Sequence, residues 1–176
     1  MDSFFEEFKW LSSMKYIIKT LALLLLISFR VDAQQPAGTI PDFKFYKLDK
    51  TVFTSKSLNT SKMLFFVFFD VGCDHCQHAI QYLNQHYPEF SKTAMFLITL
   101  DSQEKITQFL AKYGNNLKGK RNVTILQDSQ NEFIRKFGPR KYPSLFLYSA
   151  RKKLMLYDDN EQNLVRFSYQ IKSSGK

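Results

Sequence analysis

The chain is poor in the residues that staple or punctuate small folds. Of its 176 residues only two are cysteine, six are glycine and five are proline. Two cysteines exclude a multiply stapled scaffold. They leave a closed zinc site short of ligands, because the last histidine is His86 and no second C-x-x-C or H-x-x-x-H is present. No repeat, low-complexity tract or second domain is visible. No apolar run is long: Leu21–Phe29 falls well short of the ~20 residues that span a bilayer. Charge is not concentrated either. The net charge is +9, but it is spread along the chain. The small clusters at Lys118–Arg121 and Arg151–Lys153 carry no nucleic-acid motif, so a solvated basic surface is expected and no nucleic-acid partner.

What is present is one tetrapeptide, Cys73-Asp74-His75-Cys76, holding both cysteines. The unbroken apolar run Met63–Phe69 precedes it and a helical pattern follows it, so the first cysteine falls at a helix N-terminus just past a buried strand. A thiolate is the nucleophile in disulfide exchange, and the partial positive charge of a helix N-terminus stabilises it. Cys76 lies one turn on, close enough to close a disulfide. A protonated His75 would favour the Cys73 thiolate further, and Asp74 would oppose it. An inert disulfide would rigidify very little chain. A zinc site would need a tetrahedral set from one crowded stretch, with His75 and His78 helping. Redox chemistry is the better reading.

The N-terminal residues read as an export signal. Lys15 and Lys19 precede the apolar core, and Val31-Asp32-Ala33 supplies a small residue for cleavage before Gln34. The acidic start, with Asp2, Glu6 and Glu7, is atypical, and translation from Met14 would give a more ordinary signal. Uncleaved, the segment would tether the domain to a membrane. Residues 34–176 then form one domain with a full core, and eighteen phenylalanines are available to fill it.

Periodicity orders the rest. Phe43, Phe45 and Tyr46, then Val52–Thr54, predict a hairpin around Leu48–Lys50. Met63–Phe69 is a strand buried on both faces. A helix from Cys73 to about Tyr87, stopped by Pro88, carries Cys76, Ala79, Ile80, Leu83 and Tyr87 as its core stripe. His75, His78, Tyr82 and His86 share another face; three histidines over three turns converge poorly on one point, so this face is expected to be solvated. Ala94–Leu100 is a strand, followed by a helix capped by Asp101 with Glu104 in a capping box and closed by Gly114. Asn122–Leu126 is a third core strand. Ser129 and Glu132 form a second capping box, with Phe133, Ile134 and Phe137 buried and Gly138-Pro139 as the stop. Ser144–Tyr148 and Lys153–Tyr157 pair antiparallel, and Leu164, Val165, Phe167 and Ile171 face the core from a closing helix. Strand–helix alternation predicts an α/β fold with a parallel core and antiparallel edges, and active residues at the carboxyl ends of its parallel strands.

With these elements placed, residues 38–172 resemble the thioredoxin superfamily, in particular exported thiol–disulfide oxidoreductases of the TlpA/ResA type. The resemblance rests on Phe68-Phe69 before Cys73-x-x-Cys76, on the strand and helix at 94–113, and on Phe137-Gly-Pro-Arg-Lys-Tyr-Pro-Ser-Leu-Phe-Leu147. It implies a three-layer fold with a mixed central sheet and an N-terminal hairpin, with Cys73 attacking and Cys76 resolving. It also implies a cis-proline at Pro143 beside the site, where the backbone before it could pair with an extended substrate. Disulfide-bearing protein partners, an upstream membrane electron donor, a monomer, a periplasmic location in a Gram-negative bacterium and no cofactor beyond the redox-active disulfide are likewise implied. Departures are specific. Phe69 and Gly72 stand where the family favours tryptophan, and Tyr142 stands where threonine or valine is common before the proline. Val67 stands where thioredoxins bury an acid that takes the second cysteine's proton. Asp70 is the candidate substitute, with a solvated turn residue as the alternative reading.

Partner reduction is the expected direction, by resemblance, although His75 pulls toward an oxidant. Two other functions compete. A thiol peroxidase of the redoxin type typically places threonine three residues before its cysteine; Asp70 stands there and would repel a developing oxyanion. A copper carrier using Cys73, Cys76 and a histidine would need a longer cysteine spacing and a distant histidine. On the export reading, N-terminal sequencing of the mature protein finds Gln34 first; retention of residues 16–29 would refute cleavage.

Overall fold

A computed structural model describes residues 18–19 and 35–174. The export signal, its cleavage point and the alternative start at Met14 lie outside the described residues. Seven strands among those residues form one mixed sheet in the order β2-β1-β5-β4-β3-β6-β7. They are β1 (Lys44–Lys47), β2 (Val52–Thr54), β3 (Leu64–Phe68), β4 (Ala94–Thr99), β5 (Val123–Gln127), β6 (Ser144–Tyr148) and β7 (Leu154–Asp158). β3, β4 and β5 are parallel. β1 pairs antiparallel with β2 and β5, and β6 antiparallel with β3 and β7. Among residues 35–174 the α-helices are α1 (Asp74–Gln85), α2 (Tyr87–Phe90), α3 (Gln103–Tyr113), α4 (Glu132–Phe137) and α5 (Leu164–Ser174). No helix among the described residues is long and apolar enough to cross a membrane.

The expected three-layer α/β fold is present, and β3 shows why this sequence makes it. All five of its residues are buried. Because side chains alternate across a sheet, Phe65 and Val67 enter one core with Cys76, Ala79, Ile80 and Leu83 of α1, Ile106 and Leu110 of α3, and Phe167 of α5. Leu64, Phe66 and Phe68 enter the opposite core, with Phe43, Phe45 and Phe53 of the hairpin region and Phe133 and Phe137 of α4. The second core is largely aromatic: Phe68 stacks on Phe133 at 4.6 Å between ring centroids, and Phe133 on Phe137 at 4.2 Å. A strand apolar on both faces is therefore stable only at the centre of a covered sheet.

Several local expectations are corrected. The α1 pattern breaks at His86, and Pro88 sits in the first turn of α2, where its missing N–H costs nothing. The α3 cap is Ser102, whose Oγ accepts from the Lys105 N–H, not Asp101. The α4 cap does not use Ser129 and Glu132 as a box. Fully buried Asp128 accepts from the backbone N–H groups of Gln130, Glu132 and Phe133 at 3.3, 3.0 and 2.7 Å. Glu132 instead accepts from Lys44 N–H and pairs with Lys136. Val165 is exposed on α5 rather than facing the core, since Leu164, Phe167, Ser168 and Ile171 fill that side.

The Asp128 carboxylate thus supplies acceptors for three N–H groups at the start of α4, of which that of Phe133 is buried in the fold. Asp128→Ala should lower the unfolding free energy by roughly 1–3 kcal/mol, and Asp128→Asn by less, because one acceptor oxygen remains. Urea unfolding measures both; an Ala variant as stable as the parent would contradict this role.

Candidate active site

The parallel strands β3 and β4 end side by side, and the chain leaving β3 turns at Asp70–Gly72 before α1 begins. This turn is tied at both ends. The Asp70 Oδ1 accepts from the Gly72 N–H at 2.7 Å, and the Asp101 Oδ2 accepts from the Val71 N–H at 3.1 Å. Asp101 is held in turn by the Thr99 hydroxyl at 2.9 Å. Its function is therefore to fix the loop before the cysteines. The sequence offered an acid at the end of a strand as a clue, but one equally suited to capping α3. Gly72 approaches closely here: a Cβ on it would lie 3.2 Å from the Asp70 Oδ1, so any larger residue must shift that carboxylate slightly.

Cys73 is the N-cap of α1, in extended conformation, and its Sγ accepts from the Cys76 N–H at 3.4 Å. The sulfur takes the place of the oxygen of a usual capping side chain. Both cysteines are free thiols; Cys73 is half-buried and Cys76 fully buried. Cys76 points into the α1–β3 core and receives the Asp70 N–H at 3.5 Å. Burial pushes the Cys76 thiol well above the ordinary thiol range, and its contact with Cys73 and the charge of Asp70 push the same way, against the Asp70 N–H bond. At neutral pH Cys76 keeps its proton.

The loop between α4 and β6 closes the site. The Tyr142-Pro143 peptide bond is cis, and the Tyr142 carbonyl oxygen lies 4.0 Å from the Cys73 Sγ. The Tyr142 ring packs on Phe68 at 4.8 Å. Its hydroxyl is pushed up to about 12, first by burial and then by the charges of Asp70 and Asp101. Tyr142 thus remains a neutral phenol and forms an aromatic wall beside the thiols. The Asp70, Cys73, Cys76, Tyr142 and Pro143 positions come together at the carboxyl end of β3.

The other residues singled out by sequence divide. Asp74 is an exposed acid in the first turn of α1. Val67 is buried among apolar side chains below Cys76, so no acid occupies that position, and Phe69 is buried and stacked on Phe109 at 5.3 Å. His75 is exposed but not solitary: its Nδ1 lies 2.9 Å from the Glu161 Oε1. Glu161 belongs to the turn Glu161–Asn163 ahead of α5. Its convergence on α1 had no sequence signal, since only the packing of α5 brings it there. His86 is separate, stacked on Tyr82 at 4.1 Å with its Nδ1 near the Tyr82 carbonyl.

This arrangement can perform thiol chemistry: a partly exposed sulfur at a helix N-terminus, a buried protonated sulfur one turn behind it, and the Tyr142 carbonyl alongside. Residues 36–157 match the AhpC/TSA family. No curated protein matches the sequence. Among solved structures the chain is similar to a secreted Mycobacterium tuberculosis disulfide oxidoreductase described as homologous to E. coli DsbE (TM-score 0.60, 19% identity, covering 73% of this chain and 95% of that one). It is also similar to the MTB DsbF protein (TM-score 0.61, 19% identity, 76% and 99%) and to a thiol peroxidase from Chromobacterium violaceum (TM-score 0.63, 14% identity, 82% and 90%). These likenesses establish the thioredoxin-like fold. With a family match that runs from before β1 into β7, the chain belongs to the AhpC/TSA family, within the thioredoxin superfamily.

Proposed function

We propose that the protein is a thiol–disulfide oxidoreductase that reduces disulfides of exported proteins through Cys73 and Cys76. The observation that carries this reading is the asymmetry of the pair: Cys73 partly exposed as the helix cap, Cys76 fully buried behind it. In the first step the Cys73 thiolate attacks one sulfur of a partner disulfide. A mixed disulfide forms and the partner's other sulfur leaves as a thiolate, which takes a proton from solvent. In the second, Cys76 gives up its proton and attacks the Cys73 sulfur. The partner's remaining thiolate leaves, and an intramolecular Cys73–Cys76 disulfide remains. Two electrons pass from the protein dithiol to the partner.

The supporting residues take roles consistent with their positions. Asp70 accepts the Cys76 proton in place of the acid absent at Val67, while its N–H, already directed at the Cys76 sulfur, stabilises the charge that forms. The Tyr142 carbonyl ahead of cis Pro143 offers a backbone acceptor to an extended partner chain. His75 and Asp74 set the charge around the first turn of α1, in opposite directions. To turn over, the oxidised protein needs a donor of two electrons, which the export reading places in the membrane. A single chain carries both sulfurs, so a monomer suffices, and no cofactor is required. The periplasm is the compartment we assign, with membrane tethering if the N-terminal segment is retained.

A thiol peroxidase is the second reading, favoured by the family and by the likeness to a thiol peroxidase fold. Asp70 weighs against it, because its carboxylate stands near the sulfurs where a peroxide oxygen would have to develop negative charge.

Cys76→Ser should arrest the cycle after the first step. The variant should accumulate covalent partner adducts on Cys73, released by added thiol, and Cys73→Ser should accumulate none. Tethering gives Cys76 a high effective concentration at the mixed disulfide and none at a free partner. If both variants trap equally, or only Cys73→Ser traps, the two roles are wrongly assigned.

A further inference from the structure

The geometry points to a transition-metal site formed by His75, His78 and Glu161 on the surface of the same domain, separate from the two thiols. Its natural ligand is a borderline divalent cation of the Zn2+ class. His75 and His78 are three residues apart on α1, so their imidazoles lie on one face a turn apart. Glu161 reaches that face from the turn that leads into α5. One donor atom from each of the three residues lies within 4.8 Å of the others. In a tetrahedral zinc shell such atoms sit about 3.3 Å apart, a distance that exposed imidazoles reach by small rotamer changes. The His75 Nδ1 and the Glu161 Oε1 are already at 2.9 Å.

The third ligand is presented by a rigid element. Asp158 Oδ1 accepts from the Asn160 N–H at 3.0 Å, and its Oδ2 from Asn163 Nδ2 at 3.0 Å and Arg166 Nη1 at 2.9 Å. Asn160 in turn caps the Gln162 N–H at 3.0 Å. The Glu161 backbone is thereby fixed against α1, so binding needs little ordering of that turn. Two imidazoles and a carboxylate together form a donor set that a divalent cation of this class takes.

Two imidazoles and one carboxylate select against Mg2+ and Ca2+, which take oxygen ligands, and suit Zn2+ with a fourth position open to water. The thiols do not contribute: Cys76 points into the core from the opposite stripe of α1, and Cys73 is engaged as the helix cap.

The test is calorimetric titration of Zn2+ into tag-free protein carrying Cys73→Ser and Cys76→Ser, which removes sulfur as a competing ligand. One saturable equivalent is expected. Adding His78→Ala or Glu161→Gln should each weaken binding at least ~10-fold, the scale on which even outer ligands act. His78 is exposed and Glu161→Gln is nearly isosteric, so neither change disturbs the core. No saturable binding in the cysteine-free protein, or an affinity that neither substitution changes, overturns the proposal.

Discussion

The site depends on how one strand is buried. β3 fills both cores of the sheet, and it can do so only if every residue from Leu64 to Phe69 is covered. That burial fixes where the chain must emerge. The first residues after Phe69 leave the sheet at its carboxyl edge, and Asp101 and Asp70 fasten them there through Val71 and Gly72. Cys73 is the next residue and begins α1. Its position as helix cap is therefore a consequence of strand packing on one side and helix packing on the other. Each buried phenylalanine contributes about 1.5–3 kcal/mol to holding that junction, which is far more than a single thiol contact could supply.

The same constraint separates the two sulfurs chemically. A one-turn offset along α1 carries Cys76 onto the stripe of Ala79, Ile80 and Leu83, where water is excluded and the thiol holds its proton. Identical side chains thus acquire different roles from the helix period alone. The loop of Tyr142 and Pro143, placed by the antiparallel pairing of β6 with β3, then limits approach to Cys73 from one side.

Much of this was legible in the sequence, for identifiable reasons. The continuous apolarity of Met63–Phe69 can be satisfied only in a central strand, and a cysteine pair at helical spacing directly after it locates the site. The order of strands and helices followed from periodicity. What was not legible depended on which of two neighbouring polar residues captures a backbone N–H. Ser102 rather than Asp101 caps α3, because Asp101 is turned to the Val71 N–H, and Asp128 rather than Ser129 serves α4, its carboxylate reaching three backbone N–H groups. Val165 was assigned to the core by its apolarity, yet one residue of phase on a short helix exposes it. The histidine face was read as solvated, and His75 and His78 are indeed exposed. The Glu161 carboxylate beside His75 was not legible, because it is brought in from another element across a long stretch of sequence.

The central claim is that Cys73 and Cys76 form one reversible two-electron couple. Equilibrating the protein in thiol–disulfide buffers of graded ratio, then quenching with acid and weighing the protein by mass spectrometry, tests it directly. The account predicts a single reversible transition from dithiol to an intramolecular disulfide two hydrogens lighter, lost in either serine variant. Thiols that stay reduced across the series, or that form only adducts with the buffer or between chains, would contradict it.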